Sequence, residues 1–174
     1  KCIYDSTLWV KKLPEAYSEP FMKNYHSHPA FGLYPIVNIS FDAAKMYCEW
    51  LTQTYNNDVN RMHKIVKFRL PTEAEWMKFA SPLPGHNLPW KGNLPYIESA
   101  KRKCLANVKI KSSSEDGKID YVSDGAIFTN YVKFYPPNSI GLYNIIGNVS
   151  EMTAEGQLKG GSWDNFIEEC TIEK

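Results

Sequence analysis

The run Gly141-Leu-Tyr-Asn-Ile-Ile-Gly-Asn-Val-Ser-Glu151 gathers small residues, amide side chains and one carboxylate in a segment with neither helix nor strand periodicity. Its Asn and Glu side chains, with nearby carbonyls, offer only oxygen ligands, which suit Ca²⁺ better than any softer metal. Gly141 and Gly147 supply the freedom to take positive φ that an ordered loop of this kind uses. Upstream, Tyr135-Pro-Pro-Asn138 is a turn signal that halts any preceding strand.

Other reactive residue types are scattered. His26 and His28 could be half a metal site on an extended chain, but no third ligand lies nearby, and a turn before Pro29 is the favoured reading. His63 and His86 add neither metalloprotease spacing nor an evident Ser or Cys partner. The four cysteines, Cys2, Cys48, Cys104 and Cys170, contain no C-x-x-C pair, which argues against zinc or a redox dithiol. They serve either as disulfides in an oxidising compartment or as free thiols. Asn38-Ile-Ser40 and Asn148-Val-Ser150 fit the glycosylation sequon, a weak three-residue pattern.

The elements that must position these residues follow in chain order. Leu8-Trp9-Val10 predicts a short strand, and the rest of residues 1–34 is expected to be mostly loop. The β-branched stretch Tyr34–Ile39 predicts a strand ending at Ser40, a good N-cap. From Phe41 to about Tyr55 an amphipathic helix is expected, with Ala43, Tyr47, Trp50, Leu51 and Thr54 facing the core and Cys48 beside them. Residues 56–64 read as a polar connection and Ile65–Arg69 as a short strand. Thr72 and Glu75 form a capping box that opens a helix to about Ala80. Ser81–Lys103, with Pro82, Pro84, Gly85, Pro89, Trp90 and Gly92, must be irregular, and so long an ordered loop is either functional or tied down. Ser112-Ser-Ser-Glu-Asp-Gly117 reads as a solvated tip.

With 174 residues, 43% hydrophobic and 14% aromatic, the chain can bury one sizeable core. Residues 1–174 therefore read as one domain, incomplete at both ends. A formal net charge of +1 gives no basic field for nucleic acid. No apolar run reaches membrane-span length and no signal peptide is present, so any membrane association is expected through a lipid anchor outside this chain.

Three segments in order carry a resemblance: Phe68-Arg-Leu-Pro-Thr-Glu-Ala-Glu-Trp76, Gly141–Glu151 and Lys159-Gly-Gly-Ser-Trp163. Together they resemble the formylglycine-generating enzyme, or sulfatase-modifying factor, family. The resemblance covers the chain from about Tyr34 onward and implies an α+β, loop-rich variant of the C-type lectin fold with two main helices and short antiparallel strands. It also implies that Glu73 and Glu75 are fold residues and not an acid/base pair.

The resemblance implies up to two Ca²⁺ sites. One uses the Asn107 side chain, the Val108 carbonyl, Asp124 and the Ala126 carbonyl; the other uses Asn144, the carbonyls of Gly147 and Val149, and Glu151. The family's oxidases place two copper(I)-binding cysteines after the Gly-Gly-Ser-aromatic motif. Counted from Trp163, these positions are Asn165 and Cys170, with Ser162 beside them. An amide is a poor ligand for a soft ion, so the pattern implies a degenerate catalytic site with no catalytic residue of its own.

Asp5–Val10, Tyr17–Pro20, His28–Phe31 and the Cys104–Asn107 segment are similar to the gliding-motility and type IX secretion lipoproteins of Bacteroidetes, non-catalytic members of the family. The resemblance thus implies a catalytically silent, calcium-stabilised scaffold module of an exported lipoprotein, in the periplasm or at the outer membrane. Its partners would be other envelope proteins of a secretion or motility assembly. The alternative is a formylglycine-generating oxidase acting on a sulfatase cysteine. A lectin-like sugar binder is a third reading, although no site singles out a carbohydrate.

Overall fold

The computed structural model describes residues 4–12, 15–81, 85–92, 95–97, 103–111, 119–120 and 124–173. Cys2, Pro82, Pro84 and the 112–117 tip lie outside the described residues. The chain divides into two compact units, Lys1–Leu70 and Pro71–Lys174.

The first unit is more helical than its sequence suggests. It holds α1 (Leu8–Lys12), α2 (Glu15–Asn24) and α3 (Phe41–Asn57). Leu8-Trp9-Val10 is therefore helical, which corrects the strand expectation, and residues 1–34 are not mostly loop. The Asp5 carboxylate accepts from the Thr7 amide at 3.0 Å, a local turn that delivers the chain into α1. Burial of Trp9 then overrides its strand propensity: its ring packs 4.9 Å from Phe21 and 5.2 Å from Tyr25. Phe31 and Tyr34 complete this aromatic cluster, and the Tyr25 hydroxyl donates to the Pro35 carbonyl at 2.8 Å. The two histidines are used separately. His28 Nδ1 accepts from the Ala30 amide at 3.1 Å and caps a 3₁₀ turn over Pro29–Phe31, while His26 stacks on Tyr4 at 3.7 Å.

The expected strand at Tyr34–Ile39 shrinks to one bridge between Ile39 and Tyr4. Asn38 takes φ 59°, which turns the chain out of the extended run. Ser40 then caps α3, accepting from the Ala43 amide at 3.1 Å. Tyr47 and Trp50 are 57% and 55% exposed, so they are not core aromatics. Of the expected face Ala43 is buried and Leu51 partly so, while Thr54 is exposed and the rest of the inward stripe runs through Ala44, Cys48, Thr52 and Asn56. The reason is polar. Thr52 Oγ1 accepts from the Phe68 amide at 2.9 Å, and the Asn56 amide group bonds both the N–H and the carbonyl of Val66, at 3.0 and 2.8 Å. Ile65–Arg69 is thus extended but has no strand ladder; helix side chains satisfy its backbone.

The second unit begins with α4 (Glu73–Ala80) behind a complete capping box: the Glu75 amide donates to Thr72 Oγ1 at 3.2 Å and the Thr72 amide to Glu75 Oε2 at 2.9 Å. Trp76 and Ala80 bury against Leu88, Ala106, Val108, Ile145, Ile146, Cys170 and Ile172. Full burial of each larger apolar side chain here contributes about 1.5–3 kcal/mol. The described strands form three two-residue antiparallel pairs: β1 (Tyr96–Ile97) with β2 (Lys103–Cys104), β3 (Ile110–Lys111) with β4 (Ile119–Asp120), and β5 (Glu151–Met152) with β6 (Leu158–Lys159). Among the described residues, the stretch Ser81–Lys103, expected to be irregular, holds β1 and Lys103, the first residue of its partner β2. No described helix is long and apolar enough to cross a membrane.

Candidate functional site

The Gly141–Glu151 loop is shaped by four left-handed residues: Gly141 at φ 87°, Asn144 at 53°, Gly147 at 74° and Asn148 at 61°. Asn tolerates this region better than other side-chain-bearing residues because its short amide bonds locally. The Asn144 amide nitrogen donates to the carbonyls of Tyr131 and Val132, at 3.3 and 3.0 Å. That orientation leaves Asn144 Oδ1 buried without a donor. At the far end of the loop, Glu151 as a residue is only half-buried, yet its carboxylate sits in a desolvated pocket. Burial pushes its pKa up from 4.5 to about 7, opposed by the Trp76 indole N–H, which donates to Oε2 at 2.6 Å. Each is an oxygen acceptor short of donors, the kind of group that suits a hard cation.

The Asn107–Asp124 set is brought together by direct hydrogen bonds. Asp124 is 5% exposed, and its two carboxylate oxygens accept from the amides of Val108 and Ala126, each at 3.1 Å. The Tyr135 hydroxyl donates to the Asp124 carbonyl at 2.9 Å, and burial raises that hydroxyl's pKa. Asn107 donates to the Phe128 carbonyl at 2.7 Å and to Asn148 Oδ1 at 3.2 Å. Here the chain's own donors already hold the carboxylate, so the demand for an ion is weaker than at Asn144 and Glu151.

Asn148 joins the two sets and was not singled out as a ligand by its sequence. It is 1% exposed; its Oδ1 accepts from the Asn130 amide at 2.8 Å and its Nδ2 donates to the Asn130 carbonyl at 3.1 Å. Its backbone N–H donates to the Asn107 carbonyl at 2.8 Å, and its carbonyl accepts from Trp163 at 3.1 Å. So buried an amide is closed to glycosylation in the folded chain. Its sequence signal was an Asn after Gly147 in a loop of unusual amide content.

Asn165 Oδ1 accepts from the Ser162 hydroxyl at 2.8 Å and from the Ser162 amide at 3.1 Å. The Asn165 carbonyl accepts from the Lys109 amide at 2.8 Å, where Lys109 and Phe166 form a parallel bridge. Asn165 therefore braces a turn. Cys170 is fully buried as a free thiol beneath Gly161, and burial pushes its pKa up to about 12, so it stays protonated at neutral pH. Cys48 is also a free thiol. Glu73 and Glu75 have separate structural partners, Lys159 and the Thr72 amide.

Residues 10–172 match the family described as sulfatase-modifying factor enzyme 1-like domain. The formylglycine-generating enzyme of Mus musculus is 31% identical over 128 residues, covering 70% of this chain and 27% of that protein. The Bos taurus protein named inactive C-alpha-formylglycine-generating enzyme 2 is 32% identical over 142 residues, covering 75% of this chain and 38% of that protein. The chain thus spans well under half the length of these curated relatives. Among solved structures, PvdO from Pseudomonas aeruginosa superposes with a TM-score of 0.55 at 20% identity, over 80% of this chain and 54% of that one. The α+β, loop-rich formylglycine-generating-enzyme-like fold expected from the three motifs is the fold observed. With the match running over almost its whole length, the chain belongs to the sulfatase-modifying factor enzyme 1-like family.

Proposed function

We propose that this chain is a catalytically silent, calcium-braced module that serves a bacterial envelope assembly as a protein-binding scaffold. The observation that carries the reading is the contrast between two positions. Where the oxidase pattern wants a thiolate, Asn165 is tied into a turn by Ser162; where it wants calcium ligands, Asn144 Oδ1 and the Glu151 carboxylate stand ready. Asn144, Glu151 and the carbonyls of Gly147 and Val149 would hold the principal ion. Asn107, Val108, Asp124 and Ala126 would hold a second, less demanding one. Bound there, Ca²⁺ supplies charge neutralisation and cross-linking of loops, not bond chemistry.

The scaffold role draws support from exposed apolar surface: Met46, Tyr47 and Trp50 on α3 are 59%, 57% and 55% exposed. The envelope setting, with a lipid anchor beyond this chain, rests on the similarity of Asp5–Val10 and His28–Phe31 to motility and secretion lipoproteins. Ca²⁺ at a hundred times its Kd is expected to stabilise the fold by about 2.7 kcal/mol, a rise in Tm on the order of 10 °C. Differential scanning fluorimetry of the chain with calcium and with chelator measures this, and identical melting curves would end the calcium reading.

The oxidase alternative has its own support in the relatives named formylglycine-generating enzymes. Copper(I) titration separates the two. No stoichiometric binding is expected from a lone, buried, protonated thiol, whereas tight binding lost in Cys170→Ser would establish the oxidase site instead.

A further inference from the structure

Glu151 and Lys159 occupy directly opposite positions in the β5–β6 pair. Oppositely charged side chains so placed have Cβ atoms about 4.5–5.5 Å apart and ordinarily attract each other. Their charges are nonetheless assigned elsewhere. Lys159, 4% exposed, places Nζ 3.1 Å from Glu73 Oε1, and the same ammonium lies 5.8 Å from the centroid of the Trp76 ring. The Trp76 indole N–H takes Glu151 Oε2 at 2.6 Å. Glu73 and Trp76 are three residues apart on α4, hence on one face of that helix. One helix face therefore claims both members of what would be a cross-strand ion pair.

The consequence is a desolvated carboxylate given one neutral donor and, among the described residues, no cation. Such a group is costly to keep ionised unless a positive charge is supplied. Asn144 Oδ1, in the same loop, is likewise an acceptor without a donor. A fold selected only for stability would let Lys159 reach Glu151. We infer that Glu73 and Trp76 are positioning residues: they withhold the Lys159 ammonium and so reserve the Glu151 carboxylate for a metal cation. The inference deepens the calcium reading above and rests on it.

The test is calorimetric titration of the whole chain with calcium chloride, following the binding event that Glu151→Gln removes. Glu73→Gln releases the ammonium and is expected to weaken that event about tenfold, the scale of supporting contacts around a metal site. Lys159→Met should bind at least as tightly as wild type, and Glu73→Gln combined with Lys159→Met should return to the wild-type Kd. Melting temperatures in chelator discriminate a merely structural role, which would restore stability in the double variant by removing an unpaired buried ammonium but would not weaken calcium binding in a folded Glu73→Gln. Unchanged affinity in Glu73→Gln, or a double variant as weak as the single, overturns the inference while leaving calcium binding intact. If Glu73→Gln does not fold, weaker binding by Lys159→Met alone overturns it. A wild-type chain that takes up no calcium removes the calcium reading and this inference together.

Discussion

Gly147→Ala is expected to prevent the Pro71–Lys174 unit from reaching its native fold. A β-carbon at Gly147 would overlap the Asn107 carbonyl oxygen and lie 2.7 Å from Val108 Cγ1, at a φ of 74°. Neither neighbour can give way cheaply. The Asn107 carbonyl is held by the Asn148 amide at 2.8 Å, Val108 is 1% exposed in the core, and Gly147 itself donates to the Gly160 carbonyl at 2.9 Å. Relieving the overlap therefore means breaking the amide network around Asn148. The cost is several kcal/mol, comparable to the roughly 5–15 kcal/mol that holds a domain folded. Gly92→Ala is the control, because Gly92 also has positive φ, at 95°, but has nothing within 4 Å of an added β-carbon. It should lose only the left-handed penalty of about 1 kcal/mol. Urea titration decides the matter: Gly147→Ala should show no cooperative transition, or one far below that of Gly92→Ala, and equal midpoints would show that the Asn107–Gly147 contact is not the constraint.

Glu151→Gln is expected to stabilise the calcium-free protein at neutral pH. The folded-state pKa of Glu151 is raised from 4.5 to about 7 by burial, so the native state holds this proton more tightly than the unfolded chain. Its contribution to stability is fully present below 4.5 and is lost as pH rises through 7. The interval corresponds to about 3 kcal/mol. Glutamine keeps an oxygen for the Trp76 indole and carries no charge, so its contribution is flat with pH. In chelator the variant and wild type should unfold alike near pH 4.5, and the variant should be the more stable by about 3 kcal/mol above pH 7. In calcium the order is expected to close or invert, because only the wild type offers the ion a carboxylate. A variant less stable than wild type in chelator at both pH values would mean that the Glu151 carboxylate is not strained by its burial.

Stability and ligand demand thus meet in one loop. On the calcium proposal, the burial that costs the metal-free protein stability would give a bound cation its leverage.

The sequence by itself determined the features whose hydrogen bonds close within three or four residues. Thr72 and Glu75 announce their capping box, Ser40 its helix, and His28-Pro29 its turn, because the partners are neighbours along the chain. It also placed an amide, Asn165, two residues after Trp163, and oxygen-bearing side chains at Asn144, Asn148 and Glu151 of one short run. Tertiary structure decided the rest. Leu8–Val10 is helical because Trp9 must reach Phe21 and Tyr25, and the buried face of α3 is displaced from Tyr47 and Trp50 because Thr52 and Asn56 satisfy Phe68 and Val66. The contacts that set the chemistry span greater distances still: Trp76 to Glu151 across 75 residues, Lys159 to Glu73 across 86, and Asn107 to Asn148 across 41. Periodicity and propensity register what a residue does to its own turn of chain. Which charge a buried carboxylate meets depends on groups brought beside it from elsewhere, and only the folded packing selects them.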